Sequence, residues 1–260
     1  MASKTGSYWK NGIMNYYDHK GHPAFRFGLW ANCPIQAIAS DPTLAHVYMR
    51  DFFSHATGAG LDLAVYPAGA AAGTNGITAG IGGWFHLYSD GDDNDEAYAV
   101  SNGQSWLFAE GKPLWFECSF LLTEKSTSKA GYIIGLSDKA GENMLTDAAG
   151  GPAGTYDGAV FYKMDGTMNI YFETSNDTTQ GTATTMKTTC VSGTEYRLGF
   201  YYDGVATTGT ITPYINGVAK TAQTILNSGL AVMNLFFGVK CGGGGEEHLE
   251  VNWIKCVQLR

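Results

Sequence analysis

Residues 235–260 read LFFGVKCGGGGEEHLEVNWIKCVQLR, two strand-like runs joined by four consecutive glycines. In the second run Leu249, Val251 and Trp253 point one way and Glu250 and Asn252 the other, the alternation of a half-buried strand. After Trp253 the parity breaks: Ile254 and Cys256 take one face, Val257 and Leu259 the other. A bulge near Ile254–Lys255, or burial on both faces, would reconcile them. Gly242–Gly245 is followed by no helix and flanked by no cluster of basic residues, so a phosphate cradle is unsupported. Glycine tolerates positive φ and close approach, which suits a hairpin tip or a loop pressed against a neighbouring subunit. Cys241 and His248 then read as strand ends flanking a turn rather than as a ligand pair.

The same pattern runs backwards through most of the chain. Pro113–Thr123 (PLWFECSFLLT), Gly131–Ser137, Tyr196–Tyr202 and Leu61–Val65 all look like strands. Asp165-Gly166 lies between GAVFYK and MNIYFET, and Asn216-Gly217 lies within ITPYINGVAK. Both are hairpin signals in which the dipeptide supplies positive φ. Residues 68–83 are almost wholly Ala, Gly, Thr and Ile and read as a loop; residues 138–156 read as a loop with one helical turn. Ten or more strands at short intervals, with hardly any helix, make an all-β antiparallel sandwich. No repeat at solenoid or propeller period is visible.

Residues 1–50 differ. Residues 1 to about 40 show neither strand nor helix period and carry Tyr8, Trp9, Tyr16, Tyr17, Phe25 and Phe27, which cannot be comfortable in water. They read as an irregular aromatic arm lying either on its own sheet or on a partner. Asp41-Pro42-Thr43 resembles an N-cap with proline at the first helical position, and Leu44, Val47, Tyr48 and Phe52 fall near helical spacing, so a short helix is expected over 42–53. The sandwich is expected over 51–260.

Composition excludes several classes. Net charge is −8 with no Lys/Arg cluster, so nucleic acid is not an expected partner. No run of 18 apolar residues exists, so no membrane helix is expected. The opening MASKTGSYWKNGIMNYYDHK lacks the apolar stretch of a secretory signal, which points to a cytosol-made protein. Five widely spaced cysteines without CxxC read as free buried thiols, with a Cys241–Cys256 bridge as the alternative. Only 15% of residues are charged, as expected if some surface is covered by other subunits or is simply Thr/Ser/Asn-rich.

GLSD (135–138), DGAVFYKMDG (157–166), YRLGFYYDG (196–204), ITPYINGV (211–218) and the closing strand together resemble the concanavalin A-like (laminin-G-like) jelly roll, over about residues 50–260. That resemblance implies a closing strand that returns beside the first. More narrowly, SDGDDNDEAYAV (89–100), GLSD and the terminal strand resemble capsid decoration proteins of tailed bacteriophages. This implies a virion structural protein made in the host bacterial cytoplasm and carried on the capsid surface. It would bind the major capsid protein and assemble as a homotrimer. The alternatives are a carbohydrate-binding, lectin-like module and, less favoured, a glycoside hydrolase.

Chemistry-bearing constellations are few. Glucanases of this fold carry two or three carboxylates alternating along one strand, about 5 Å apart for a retaining mechanism. Here Glu117 and Glu173 each stand alone, so no catalytic residues are expected and the chain reads as non-enzymatic. His19 and His22 read as a polar turn. Asp90, Asp92 and Asn94 have the alternating oxygen spacing of a calcium loop. Asp95, however, stands where an EF-hand needs glycine, and Ser101 where it needs glutamate. Asp90, Asp92, Asn94 and Asp95 are therefore a Ca²⁺ candidate against a solvated turn or a contact for a basic partner; no other cofactor is implied. Tyr156, Asp157, Asn176 and Asp177 are the loop residues a lectin-type site could use.

Overall fold

A computed structural model describes residues 28–30, 33–34, 42–52, 63–68, 75–78 and 82–260 (without 148–149, 178 and 206), with the backbone of 6–10 and 13–17. In chain order its strands are β1 (Gly6–Lys10), β2 (Ile13–Tyr17), β3 (Ala45–Asp51), β4 (Leu63–Ala68), β5 (Asn75–Thr78), β6 (Trp84–Tyr88), β7 (Glu96–Ser101), β8 (Leu114–Thr123), β9 (Ala130–Ser137), β10 (Gly158–Lys163), β11 (Ile170–Asn176), β12 (Thr179–Gln180), β13 (Thr184–Lys187), β14 (Glu195–Tyr202), β15 (Thr208–Ile215), β16 (Val218–Ala219), β17 (Gln223–Leu226), β18 (Asn234–Cys241) and β19 (His248–Leu259). One sheet runs β12-β11-β10-β9-β18-β7-β4, with β13 also on β11; the other runs β16-β15-β14-β8-β19-β6-β5, with β17 on β15 and β3 on β19. Hairpin β1–β2 stands apart from both.

Alternation builds the core. Leu114, Phe116, Cys118, Phe120 and Leu122 of β8 face Tyr132, Ile134 and Leu136 of β9 and Leu235, Phe237 and Val239 of β18 in one buried cluster. Rings cross the gap between the sheets: Phe85 meets Phe237 edge-on at 5.6 Å, and Phe120 meets Tyr132 at 4.8 Å. Each fully buried large apolar side chain contributes roughly 1.5–3 kcal/mol, so this cluster dominates stability.

The terminal strand resolves its parity in both of the ways its sequence allows. The bulge sits at Asn252, between the Val251–Phe120 and Trp253–Ser119 pairs, not at Ile254–Lys255. Beyond it Ile254 and Cys256 enter the central core while Val257 is buried in a second cluster on the outer face. The bulge lies there because two strands share this edge of β19 end to end: β6 pairs with 248–251 and β3 with 253–259. Asn252 fills the junction, donating through Nδ2 to Gly83 O at 2.8 Å and accepting at its own carbonyl from Phe52 N. As the resemblance implied, the last strand returns beside the first strand of the sandwich.

The tetraglycine is not a hairpin tip. β18 and β19 belong to opposite sheets, so Gly242–Gly245 is a corner crossing between them. Gly243, Gly244 and Gly245 hold φ of 86°, 105° and 142°, and a Cβ on Gly242 would lie 2.6 Å from Lys129 O. Side chains are excluded there by both conformation and space. Asn216-Gly217, by contrast, is the tight turn its sequence predicts: both residues have positive φ between paired Ile215 and Val218.

Three local expectations fail. In place of the helix expected over 42–53 there is a turn followed by strand β3, whose Ala45 and Val47 pack on the outer face and Tyr48 toward the core, with Phe52 just beyond it also in the core. Pairing with β19 outweighs a local capping signal. The glycine-rich stretch 68–83 contains strand β5, supported by β6. Residues 138–156 show turns and a Leu145–Pro152 bridge, with no helical turn among those described.

Candidate functional site

The two lone strand glutamates lie on opposite outer faces of the sandwich. Phe116 and Cys118 point inward, so Glu117 points outward on β8, where Leu29 and Cys33 pack on Trp115, Ala45 and Val257. Its Oε2 accepts from the Trp30 indole N–H at 2.6 Å, and Arg197 Nε lies 3.9 Å from Oε1. Lys255 stands opposite it in register, with its ammonium 4.3 Å from the centre of the Trp30 ring. Burial raises the Glu117 pKa, while the Trp30 hydrogen bond, Arg197 and Lys255 pull it back. Burial also pushes the neighbouring Cys33 thiol up to about 12, which makes it a poor nucleophile.

Glu173 points outward on β11 and is covered by Tyr156, which packs on this face with Met144 and Leu145. Its two oxygens accept from Tyr156 OH at 3.1 Å and Tyr162 OH at 3.4 Å. Burial raises its pKa, and the two hydroxyls lower it only in part. On the same face Lys240 Nζ pairs with Glu96 at 2.8 Å, and Glu96 also accepts from Asn143 N–H. A retaining glycosidase needs two carboxyls about 5 Å apart. Glu117 and Glu173, on opposite faces of the sandwich, do not form such a pair.

The acidic loop between β6 and β7 is organised by its own backbone. Asp90 Oδ1 accepts from Gly91 N–H at 2.6 Å, Asn94 takes φ 72°, and Asp95 N–H donates to Asp92 O. Asp92 is exposed whereas Asp95 is buried, so alternation in sequence does not bring these oxygens to one point. Among the described residues no three His, Cys, Asp or Glu side chains are grouped to hold a metal ion. The loop is pinned to the tetraglycine corner through Cys241, whose O accepts from Asn94 N–H and whose N–H donates to Asp95 O, each at 2.8 Å. All five thiols are free and buried, and no Cys241–Cys256 bridge forms.

The lectin-type loop candidates are largely used for building the protein. Tyr156 is fully buried against Glu173. Asp157 accepts from Asp177 N–H and Ala231 N–H, both at 2.6 Å, and so ties three loops together. Asn176 Nδ2 donates to Leu226 O at 2.7 Å, across the seam between the sheets. At that seam lies a cleft of about 320 Å³, where hydroxyls of Thr174, Ser175, Thr208 and Thr224 stand beside apolar Ile225 and Leu226. No sequence motif announced it, because β11 and β17 are joined only by folding. The arm expected to be irregular is not so at Tyr8, Trp9, Tyr16 and Tyr17: these lie on the antiparallel hairpin β1–β2, where Ser7 pairs with Tyr16 and Tyr8 with Asn15. Their side chains, and Phe25, Phe27, His19 and His22 altogether, fall outside the described residues.

No family model matches the chain, and no curated protein is detectably similar to it in sequence. Solved structures are similar in fold. The Lotus tetragonolobus seed lectin superposes with a TM-score of 0.55 at 13% identity, covering 83% of this chain and 99% of the lectin. A Shewanella oneidensis MR-1 protein of unknown function (SO2946) gives 0.52 at 14%, covering 85% and 89%. An endo-β-1,4-glucuronan lyase from Trichoderma reesei gives 0.52 at 10%, covering 80% and 94%. The chain therefore has a concanavalin A-like jelly-roll sandwich, a fold shared by lectins and at least one polysaccharide lyase.

Proposed function

We propose that the chain is a non-catalytic structural virion subunit, a capsid decoration protein that stabilises a phage head through protein contacts. The supporting observation is how its polar side chains are used. Glu117, Glu173, Tyr156 and Asp157 are all engaged in internal bonds on covered faces, which leaves surface rather than a reactive centre. Hairpin β1–β2, which pairs with no sandwich strand, is the element this reading assigns to the major capsid protein, through Tyr8, Trp9, Tyr16 and Tyr17 with Phe25 and Phe27. Trimers bridging capsomers would add buried interface and oppose internal pressure, and the subunit would be made in the host cytoplasm and carried on the capsid surface. The test is co-sedimentation of the full chain with purified capsids, with Trp9→Ala as the weakened variant. Binding of the wild type and a loss of roughly tenfold or more in the variant are expected for an aromatic anchor. A protein that stays free and monomeric at micromolar concentration would sink the proposal.

One observation favours a second reading, a saccharide-binding module. The seam cleft is uncharged, rich in hydroxyls and of a size to take a sugar. Retention on a glycan array that is lost in Thr224→Tyr would favour it over the first.

A further inference from the structure

Three loops meet at the β18–β19 corner: 89–95, 124–129 and 242–247. The Glu247 side chain is fully buried among them. Its Oε2 accepts from Lys125 N–H at 2.9 Å, while its Oε1 is buried and makes no well-formed hydrogen bond. Its backbone is clamped too: Ser89 N–H donates to Glu247 O at 3.0 Å, and Glu247 N–H donates to Ser89 Oγ at 3.1 Å. Ser126 Oγ donates to Gly244 O, closing the third side.

Charge at this corner does not balance around Glu247. Lys163, wholly buried, already pairs with Glu124 at 2.8 Å. The other charged or titratable groups around the corner are Asp90, Asp92, Asp93 and Asp95 from the acidic loop, Lys125 and Lys129 from the β8–β9 loop, Asp165 against Gly242, Cys241 from β18, and Glu246 with its ion-paired His248 on either side of Glu247. Lys125 gives Glu247 its backbone amide. An ionised Glu247 would thus be a buried carboxylate favoured only at a distance by Lys163, a cation already paired with Glu124. Burial first, and the Glu124 carboxylate next among the raising causes, push the Glu247 pKa up to about 7; the Lys125 and Ser126 amides and Lys163 offset this only in part.

We propose that Glu247 is a proton-operated latch: its neutral carboxyl lets the tetraglycine corner close on loops 89–95 and 124–129, and its ionisation releases them. The folded pKa lies above the ordinary carboxyl value, so folding takes up a proton. The stability this contributes is complete below the ordinary value and is lost as pH rises through about 7. Gly243–Gly245 supply backbone freedom for the loop to lift while β18 and β19 stay paired in their own sheets. Because Asn94 and Asp95 are bonded to Cys241, release also loosens the acidic loop and its carboxylates. The latch ties the order of the acidic loop 90–95 to pH near neutrality.

The test is a side-chain carboxyl NMR titration of the full chain from about pH 5 to about pH 8.5. One glutamate is expected to titrate near neutrality, binding its proton roughly 300-fold more tightly than an ordinary carboxyl, and its signal is expected to vanish in Glu247→Gln. Amide exchange at 243–245 and 89–95, corrected for intrinsic rates, is expected to accelerate several-fold from about pH 6 to about pH 8 in the wild type and to stay flat in the variant. The latch is overturned if the Glu247 carboxyl titrates in the ordinary range, or if the acceleration persists in Glu247→Gln. Should the variant not fold, the wild-type titration, assigned through the backbone of Glu247, and the wild-type exchange profile decide together: a raised pKa without acceleration at 243–245 and 89–95 overturns the latch.

Discussion

The two outer faces of the sandwich solve one problem in different ways. Each carries a lone glutamate, Glu117 on the central strand β8 and Glu173 on β11 one strand in from the edge, and each is covered by residues of the same chain. On the nine-stranded sheet, Glu117 meets an indole N–H and two cations, Arg197 and Lys255, which favour its ionised form. On the eight-stranded sheet, Glu173 meets only the hydroxyls of Tyr156 and Tyr162; the cation of that face, Lys240, belongs to Glu96. Burial raises both pKa values, but only Glu117 has charge to set against it. Both glutamates point away from the core; the groups that cover each carboxyl decide what it becomes.

The comparison can be broken most severely at Lys240. Lys240→Met leaves the buried Glu96 carboxylate without its ion, and a loss of about 3–5 kcal/mol in urea unfolding is expected. A loss under about 1 kcal/mol would mean that segment 138–157 does not seal its face. The sharper contrast is between the glutamates. Glu117→Gln removes the carboxylate that Trp30, Arg197 and Lys255 share and should cost about 1–3 kcal/mol at neutral pH. Glu173→Gln removes a charge that has no cation and should fall within about 1 kcal/mol of the wild type. Equal costs would erase the distinction drawn here. The smallest effect is in pH dependence. A raised carboxyl pKa gives stability that is greatest below the ordinary value and declines as pH rises through the folded one. Thermal midpoints of Glu173→Gln should therefore fall less steeply than those of the wild type between about pH 5 and about pH 8, while still showing the slope that Glu247 adds.

Much of the sandwich was legible without coordinates. Alternating side chains in Pro113–Thr123, Tyr196–Tyr202 and the terminal strand define an inward face, and Asn216-Gly217 defines its own turn, because both signals reside in neighbouring residues. The parity break after Trp253 was also visible, although its position was not: the bulge sits where β6 ends and β3 begins, a fact of pairing across more than 150 residues. The helix expected over 42–53 failed for the same reason, since hydrogen bonding to β19 overrides a local cap. Acidic alternation at Asp90, Asp92, Asn94 and Asp95 looked like a ligand loop; one residue turned inward and another outward, and the side chains do not gather.

The sequence by itself determined that this is an all-β sandwich, that its surface charge is sparse, and that no alternating carboxylate pair lies along a strand. Those properties follow from period, composition and spacing, which are short-range or global and need no partner. Tertiary structure alone decided that the tetraglycine crosses between sheets, that Glu117 and Glu173 are covered on opposite faces, that a hydroxyl-lined cleft opens at the β11–β17 seam, and that Glu247 is buried beside an ion pair already complete. Each of these depends on which distant strand supplies the neighbour. Burial, and with it the electrostatic cost of a charge, belongs to that neighbour as much as to the residue.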